Sequence, residues 1–407
     1  LARMREQHRA EEHAMMVSDR TISTPLAPPV ATAAGRVASV SRSAPQVLLT
    51  GGTGFLGPFL LRSLLEQTES TVHVVIRATT VDEARGRIRN VLRQALAPAD
   101  SLAAQLEKRV IPICGDLERP GLGVTREVWD ALACGIDTIY HNAATVNYLF
   151  NYATMRAANV LGTDELLRLA FAGRPKQFNH ISTTFIFGWA TKPVLHEADS
   201  NAGMERLDFG YSQTKWVAEQ KVLDAASRGL ETRIFRPSLI TPTTAGGGTN
   251  VDITIRLIAF MIKHGIGVDT LNQVSFVPVD VTANNIVAVA YQPATVGRTF
   301  HVTRDDYANM VDVIRIIGAR TGRRFQLFPL REFVPEVIRR CTRDDLLFPL
   351  LDFLIGSVDN ISAMEFKRYD NASYQNARDA SPRGMPDPSL AHTVDGILAF
   401  MTRNGIW

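Results

Sequence analysis

A short glycine-rich segment near residue 50 constrains the fold of this chain more than any other feature. The apolar residues 47–49 lead into Thr50-Gly51-Gly52-Thr53-Gly54-Phe55-Leu56-Gly57, and an amphipathic pattern continues over residues 59–65. A strand that enters a helix through small residues brings backbone N–H groups and the positive helix end close to an anion. The segment therefore predicts a dinucleotide site, and the expected contacts are Thr50, Gly51, Thr53, Gly54, Phe55, Leu56 and Gly57.

Strand and helix patterns alternate after this segment. Short runs rich in β-branched residues occur at residues 47–50, 72–76, 110–113, 138–140, 178–182 and 233–235. A βαβ succession of this kind is typical of a parallel sheet with helices on both faces. We predict an α/β fold, a Rossmann-type doubly wound parallel sheet with a smaller, mostly helical C-terminal substrate domain.

The patterns predict three parts along the chain. Residues 1–45 read as a polar helix, over residues 1–17, and a flexible linker rich in Pro, Ala, Ser and Thr. Residues 46–240 form the cofactor-binding domain, to which residues 279–291 return. Residues 241–407 form the substrate domain; its predicted elements are helices at 253–262 and 311–317, strands at 274–277 and 299–302, and a mobile loop at 246–248.

Composition excludes several classes of protein. A chain of 407 residues with 45% hydrophobic residues can bury a large core, and a net charge of +3 does not suggest a nucleic-acid surface. No stretch reaches the roughly 20 apolar residues that a membrane span needs. Cys114, Cys134 and Cys341 lack metal-ligand spacing, which suits a reducing cytoplasm. We expect a cytoplasmic, monomeric protein without a metal site, cut from a longer chain that starts before Leu1.

The end of the second predicted strand indicates which cofactor binds. NAD-binding folds place Asp or Glu there to hold the ribose hydroxyls, whereas this chain has Arg77. A cation at that position favours the 2′-phosphate of NADPH. On the helix that follows, Arg87 is a candidate to complete the phosphate clamp, although arginines on a helix can also simply face solvent.

Further cofactor contacts are predicted after other strands. Gly115-Asp116-Leu117 follows the third strand, where Asp116 is the expected adenine contact and Leu117 adjoins it. Small residues follow the next strand, as Asn142-Ala143-Ala144, where the backbone must pass close to the cofactor. We expect Pro237 and Leu239 to form the floor of the nicotinamide pocket. His141 and His180 are expected to be satisfied core residues and not ligands.

The candidate catalytic residues lie on a helix and at a strand end. Tyr211 and Lys215 stand one helical turn apart, so that the ammonium can lower the pKa of the phenol and make it a usable proton donor. Thr183 follows a strand and can hydrogen bond a substrate carbonyl, while Lys215 also holds the nicotinamide ribose. Asn159, counted with the cofactor-site residues, either supports a water that relays the proton or braces a helix. Thr184 is the alternative to Thr183.

Taken together, these motifs resemble the extended short-chain dehydrogenase/reductases. Within that superfamily the fuller pattern is similar to the thioester reductase domains that end nonribosomal peptide synthetases, polyketide hybrids and carboxylic acid reductases. The motifs that carry this resemblance are Val75-Ile76-Arg77-Ala78, Asn159-Val160-Leu161-Gly162-Thr163, Tyr211-Ser212-Gln213-Thr214-Lys215, Arg236-Pro237 and Phe276-Val277-Pro278-Val279-Asp280.

The resemblance implies a reaction and a partner. NADPH would reduce the thioester of an acyl or peptidyl chain on the phosphopantetheine arm of an upstream carrier protein, giving an aldehyde and, with a second NADPH, the alcohol. The linker would then serve as the tether to the carrier, or have no such role. Two alternatives remain at this point: a reductase of fatty acyl-CoA, a small ketone or a sugar nucleotide, and a non-catalytic cofactor sensor.

Overall fold

The computed structural model describes residues 2–22, 44–96, 102–190, 192–364 and 367–407. The strands in these residues are β1 Gln46–Thr50, β2 Thr71–Ile76, β3 Val110–Cys114, β4 Thr138–His141, β5 Gln177–Ile181, β6 Val194–Leu195, β7 Glu231–Pro237, β8 Leu239–Thr241, β9 Ile266–Asp269, β10 Phe276–Pro278, β11 Thr299–Val302, β12 Gln326–Pro329 and β13 Arg368–Tyr369.

The α-helices in the same residues are α1 Ala2–Asp19, α2 Gly57–Gln67, α3 Val81–Ala95, α4 Ala103–Arg109, α5 Arg126–Gly135, α6 Tyr152–Arg156, α7 Gly162–Phe171, α8 Gly210–Ser227, α9 Ile253–His264, α10 Val279–Ala290, α11 Met310–Thr321, α12 Leu330–Arg340, α13 Leu351–Ser362, α14 Ala372–Asp379 and α15 Leu390–Arg403. None of these helices is both long enough and apolar enough to cross a bilayer.

The main sheet has seven parallel strands in the order β11-β7-β5-β4-β1-β2-β3. The chain builds the sheet outward from β1 through β2 to β3, and then returns to the other side of β1 with β4. The connection that follows β1 and the connection that follows β4 therefore run to opposite sides of the sheet. This divergence opens a crevice at the carboxyl ends of these two strands. The predicted doubly wound α/β fold is confirmed.

Helices cover both faces of the sheet because its central strands are apolar on both sides. Leu48 and Leu49 are neighbours on β1 and are both fully buried, but they point to opposite faces. Leu49 packs in the core that holds α2, α3 and α10, whereas Leu48 packs in the core that holds α5 and α7. Continuous burial of this kind is typical of a parallel sheet.

The segments after residue 240 contribute to two cores. Helices α9, α11, α12, α13 and α15 pack around a separate apolar cluster, next to the two-stranded parallel sheet of β9 and β12. Helix α10 instead packs against α2, and β11, counted with the C-terminal part in the sequence analysis, is the edge strand of the main sheet. The loop at residues 245–246 accepts two hydrogen bonds from Arg403 of α15. The division at residues 240 and 241 stays a prediction.

Helix α1 packs against the outside of α6 and α8. Asp19 accepts two 2.6 Å hydrogen bonds from Arg156 and one of 2.7 Å from the Tyr152 hydroxyl, and Met16 is buried beside Trp216. The predicted linker falls largely on residues 23–43, which lie outside the described residues.

Candidate active site

The glycine-rich turn packs so tightly, against the segment after β4 and against the start of α2, that only glycine fits at two positions. Gly51 has φ +68°, and a Cβ there would lie 2.7 Å from the backbone of Ala143. A Cβ on Gly57 would lie 2.1 Å from the carbonyl oxygen of Gly51. Helix α2 begins at Gly57 without a side-chain cap, so its first N–H groups remain available to an anion. The turn therefore fits the pyrophosphate of a dinucleotide.

A cleft of about 800 Å³ runs along the carboxyl ends of the strands. Most of the residues predicted from the sequence line it, namely Gly51, Thr53, Gly54, Phe55, Leu56, Arg77, Arg87, Asp116, Leu117, Asn142, Ala143, Ala144, Thr183, Tyr211, Lys215, Pro237 and Leu239. The structure places three predicted cofactor contacts behind this surface, not on it: Thr50, Gly57 and Asn159.

Two of these three residues belong to a buried chain of hydrogen bonds beneath the cleft. The Thr163 hydroxyl donates to the Asn159 carbonyl (2.7 Å), so it accepts from His141 Nε2 (2.8 Å). His141 Nδ1 then accepts from the Thr50 hydroxyl (2.9 Å). Burial, aided by the charge of Lys215, lowers the pKa of His141 to about 3, so the imidazole is neutral. His141 is thus a satisfied core residue, as predicted.

His180 is buried but is not hydrogen bonded within the described part of the chain. It is fully buried next to His141, with the two ring centroids 5.4 Å apart, and neither ring nitrogen has a hydrogen-bond partner there. Burial holds its pKa well below the usual value. The expectation that it is a core residue agrees with this placement, but the expectation that it is satisfied is wrong. Elsewhere in the described ranges, no three His, Cys, Asp or Glu side chains gather as metal ligands would.

Asn159 ties the loop after β4 to helix α8. It lies buried in a single π-helical turn at Ala157–Leu161. Its Oδ1 accepts from the Thr145 N–H (2.7 Å), and its Nδ2 donates to the Thr145 carbonyl (3.0 Å) and to Thr214 Oγ1 (2.9 Å). This arrangement matches the bracing role that the sequence left as an alternative to a water relay.

Arginines line the far end of the cleft, after β2. Arg77 is exposed directly after the strand, and the Arg87 guanidinium donates to its backbone carbonyl. Arg89 instead pairs with Glu107, outside the cleft. Asp116 lies opposite, where its Oδ1 accepts from the N–H of Glu118 (3.1 Å).

Thr183, Tyr211 and Lys215 meet at the centre of the cleft. Tyr211 lies in the first turn of α8, and Lys215 Nζ donates to the carbonyl of Ile181, at the end of β5 (2.7 Å). Thr183 lines the cleft, close enough to Tyr211 for its side chain to lower the pKa of the phenol. Thr184 does not line the cleft and starts a 3₁₀ turn. The geometry therefore favours Thr183 as the hydroxyl that meets a substrate.

Burial changes the pKa values of both Tyr211 and Lys215. It raises the pKa of Tyr211 to about 12, against a smaller lowering effect of the neighbouring Thr183 side chain. It lowers the pKa of Lys215 to about 8, against the opposite effect of Glu219. The expectation that Lys215 lowers the pKa of the phenol is wrong for this structure, because the ammonium turns to the Ile181 carbonyl and desolvation dominates. Tyr211 is still protonated at neutral pH, as a proton donor must be.

The other end of the cleft is formed by residues that the sequence analysis missed. Tyr148 lines it, with its ring centroid 6.3 Å from that of Tyr211, as do Phe185, Asp252 and Arg256. Asp252 caps α9 by accepting from the Ile255 N–H, and burial raises its pKa to about 6. An Asp before an apolar helical pattern can be read from the sequence as a cap. That its carboxylate also faces the cleft depends on how α9 packs.

Comparison with known proteins supports the same reading of the cleft. Residues 49–286 match the NAD-binding family described as Male sterility protein. The chain is 34% identical over 285 residues to the large subunit of L-2-aminoadipate reductase from Penicillium chrysogenum, which covers 66% of this chain and 20% of that protein. It is 33% identical over 381 residues to the non-canonical nonribosomal peptide synthetase hkm10 of Aspergillus hancockii, which covers 89% and 36% respectively. The chain thus spans only part of each relative.

A solved structure agrees with this chain over nearly its whole length. It is the terminal R domain from the myxalamid PKS-NRPS biosynthetic pathway, with a TM-score of 0.84, 28% identity, and coverage of 97% of this chain and 98% of that one. The resemblance to thioester reductase domains inferred from the motifs is confirmed. The chain belongs to the Male sterility protein family and is a nicotinamide-dependent reductase of the extended short-chain dehydrogenase/reductase superfamily.

Proposed function

We propose that this chain uses NADPH to release an acyl or peptidyl thioester from the phosphopantetheine arm of a carrier protein as an aldehyde. The observation that carries the proposal is the convergence of Thr183, Tyr211 and Lys215 in one cleft with the glycine-rich turn. The names of the similar proteins, a nonribosomal peptide synthetase and the terminal R domain of a PKS-NRPS pathway, support a carrier-bound substrate.

The roles of the three residues follow from their positions. The bound cofactor supplies a hydride for the thioester carbon. Tyr211, protonated at neutral pH, gives its proton to the carbonyl oxygen, and the Thr183 hydroxyl holds that oxygen in place. The product of this step is a hemithioacetal, whose carbon–sulfur bond then breaks to release thiol and aldehyde. Lys215, held by the Ile181 carbonyl, is the residue that binds the nicotinamide ribose.

The first test removes the proton donor. We expect Tyr211→Phe to lower turnover of a carrier-bound acyl thioester by roughly 10²–10⁴ while NADPH affinity stays nearly intact, as for loss of a general acid. Tyr148→Phe is the matched control, because it removes a phenol from the same cleft, and turnover should change less than about tenfold. Turnover that survives in Tyr211→Phe would contradict the assignment.

The carrier is tested by comparing substrates. The same acyl group is offered on carrier protein, on CoA and as the free aldehyde, and aldehyde and alcohol are separated by chromatography. Fastest turnover on the carrier supports the proposal. Strong preference for CoA would replace it with the acyl-CoA reductase derived from the sequence, and a sugar nucleotide offered in parallel and turned over faster than all three would replace it with the sugar-nucleotide alternative. Turnover of the free aldehyde reports whether a second reduction to the alcohol occurs.

The preference for NADPH rests on Arg77 and Arg87. A charge-assisted hydrogen bond to phosphate contributes about 1.5–3 kcal/mol, so replacing both residues with Ala should raise the KM for NADPH at least tenfold and leave that for NADH nearly unchanged. Arg89→Ala is the control, because Arg89 pairs with Glu107 instead of facing the cleft. Equal effects on the two cofactors would refute the preference.

A further inference from the structure

A buried ion pair lies directly behind the catalytic residues. Arg236 on β7 donates to both carboxylate oxygens of Glu219 on α8, at 2.5 Å for the shortest contact, and the Ser182 hydroxyl donates to Glu219 at 2.6 Å. Arg236 and Glu219 are at most 1% exposed, and Ser182 is 4% exposed. Burying a charge away from water costs free energy unless the charge is paired and fully hydrogen bonded. A role other than filling space is therefore needed to explain this ion pair.

Arg236 is satisfied on every side. Its remaining nitrogen, Nη1, donates to the carbonyl of Glu197 (3.1 Å) and to His301 Nε2 (3.2 Å). His301 Nδ1 lies 2.8 Å from the carbonyl of Asp370, which fixes the proton on Nδ1 and leaves Nε2 as an acceptor. The guanidinium also lies 5.2 Å from the centre of the Phe187 ring, in the turn that follows Thr183. These contacts restrict the Arg236 guanidinium to one orientation. The guanidinium in turn fixes the position of the Glu219 carboxylate.

Three successive residues at the end of β5 contact one face of α8. The Ile181 carbonyl accepts from Lys215, the Ser182 hydroxyl donates to Glu219, and Thr183 lines the cleft beside Tyr211. The three helix residues are spaced four apart, so they form a single row along the helix. The contact of Ser182 with Glu219 therefore fixes the position of the strand end along the axis of the helix.

We propose that Ser182, Glu219 and Arg236 form a positioning group that holds Thr183 in register with Tyr211 and keeps a negative charge one helical turn from Lys215. This inference rests on the proposed function, because it assigns roles relative to those three residues. A shift of about 1 Å between reacting groups can cost roughly a hundredfold in rate. The group therefore acts on catalysis without touching the substrate.

Glu219 also affects the charge of Lys215. The titratable groups that face Lys215 are His141 and His180, which burial keeps neutral, and Glu219. Glu219 raises the pKa of Lys215 against desolvation, which brings it to about 8. Loss of the Glu219 charge lowers that pKa further. Turnover that needs the ammonium would then decline at a lower pH than in the wild type.

The test uses two variants of the full chain, with carrier-bound acyl thioester as substrate. In Ser182→Ala both charges stay, and we expect kcat to fall about tenfold with the KM for NADPH unchanged and the pH profile in place. In Glu219→Gln we expect kcat to fall about a hundredfold and the alkaline limb of the kcat profile to move to lower pH. Ser182→Thr, which restores the hydroxyl, should recover most of the kcat lost in Ser182→Ala.

NADPH titration by fluorescence identifies variants that keep the fold. If Glu219→Gln fails to bind NADPH, Ser182→Ala and Ser182→Thr alone decide the question. Two results would overturn the inference: wild-type kcat in Ser182→Ala, or an unshifted pH profile in a folded Glu219→Gln. In both cases the proposed function would still stand, provided that Tyr211→Phe loses turnover as expected. A wild-type chain without thioester turnover would instead overturn the proposed function.

Discussion

Replacing Asn159 with Ala tests how the loop beside the cleft is held to the catalytic helix. The amide is only 2% exposed and makes three hydrogen bonds, two with the backbone of Thr145 and one with Thr214 Oγ1. Thr145 lines the cleft next to Ala144, and Thr214 lies on α8 between Tyr211 and Lys215. The side chain therefore connects the predicted cofactor loop with the helix that carries the proposed proton donor.

The magnitude follows from the groups that lose their partners. Asn159→Ala leaves the N–H and the carbonyl of Thr145 without the amide, and each such group costs about 1–3 kcal/mol when water does not replace the partner. Thr145 is half-buried, so water reaches part of the vacated space, and we expect the free energy of unfolding to fall by about 2–4 kcal/mol. Thr214 keeps its bond to the Tyr211 carbonyl and adds little.

Urea unfolding monitored by tryptophan fluorescence measures the loss, and thioester reduction by the same samples measures kcat/KM. Thr214→Val is the matched control: it removes one of the three bonds and should cost only about 0.5–1.5 kcal/mol. We expect Asn159→Ala to lower kcat/KM at least tenfold, because the loop no longer has a fixed position. A stability loss below about 0.5 kcal/mol together with normal kcat/KM would refute the bracing role.

Two further predictions concern the turn and the N-terminal helix. Gly57→Ala should weaken NADPH binding at least tenfold in a fluorescence titration, because its Cβ would lie 2.1 Å from the Gly51 oxygen. The control Gly86→Ala, with open space around its Cβ, should bind NADPH normally. Equal affinities of the two variants would contradict the steric argument. Asp19→Asn should destabilise the chain at pH 7. Burial raises the pKa of Asp19, but its bonds to Arg156 and Tyr152 lower it below the ordinary value. The carboxylate therefore stabilises the fold above about pH 4 and loses this effect on acidification. The unfolding midpoints of wild type and Asp19→Asn should consequently converge at low pH. Curves that stay parallel across the pH range would contradict this role of Asp19.

The sequence was most informative where a residue type is required by local geometry. The glycines of residues 50–57 and the β-rich runs predicted the central strands and the crossover, because close backbone approach and double-sided burial restrict the choice of residue. Arg77 was identified by its place at a strand end, a position defined by the fold itself. These inferences need only neighbouring residues, and all of them point to the same edge of the sheet.

Features that depend on packing between distant segments were not accessible in the same way. Tyr148 and Asp252 are separated by about a hundred residues, yet both line the cleft, and Tyr148 lies near both Asp252 and Tyr211. The pKa of Tyr211 was misjudged for the same reason: one helical turn predicts the distance to Lys215 but not the desolvation of the phenol. The contacts of Asn159 join Thr145 to Thr214 on α8, and Asn159 lies in a π-helical turn, for which the sequence has no recognisable pattern.

The two ends of the cleft are lined by different kinds of structure, and this difference affects how the acyl selectivity of the chain can change. The cofactor end includes strand ends and a turn in which a Cβ on Gly51 or Gly57 would collide with main chain. The substrate end includes side chains from residues 250–256 and 349–350, which come from segments outside the main sheet. Substitutions there can reshape this end of the cleft while Lys215 and Glu219 keep their hydrogen bonds to Ile181 and Ser182, because those bonds do not involve these segments. Tyr211 packs in the same apolar cluster as Ile255 of α9. Acyl selectivity should therefore vary most freely at positions that do not contact Tyr211.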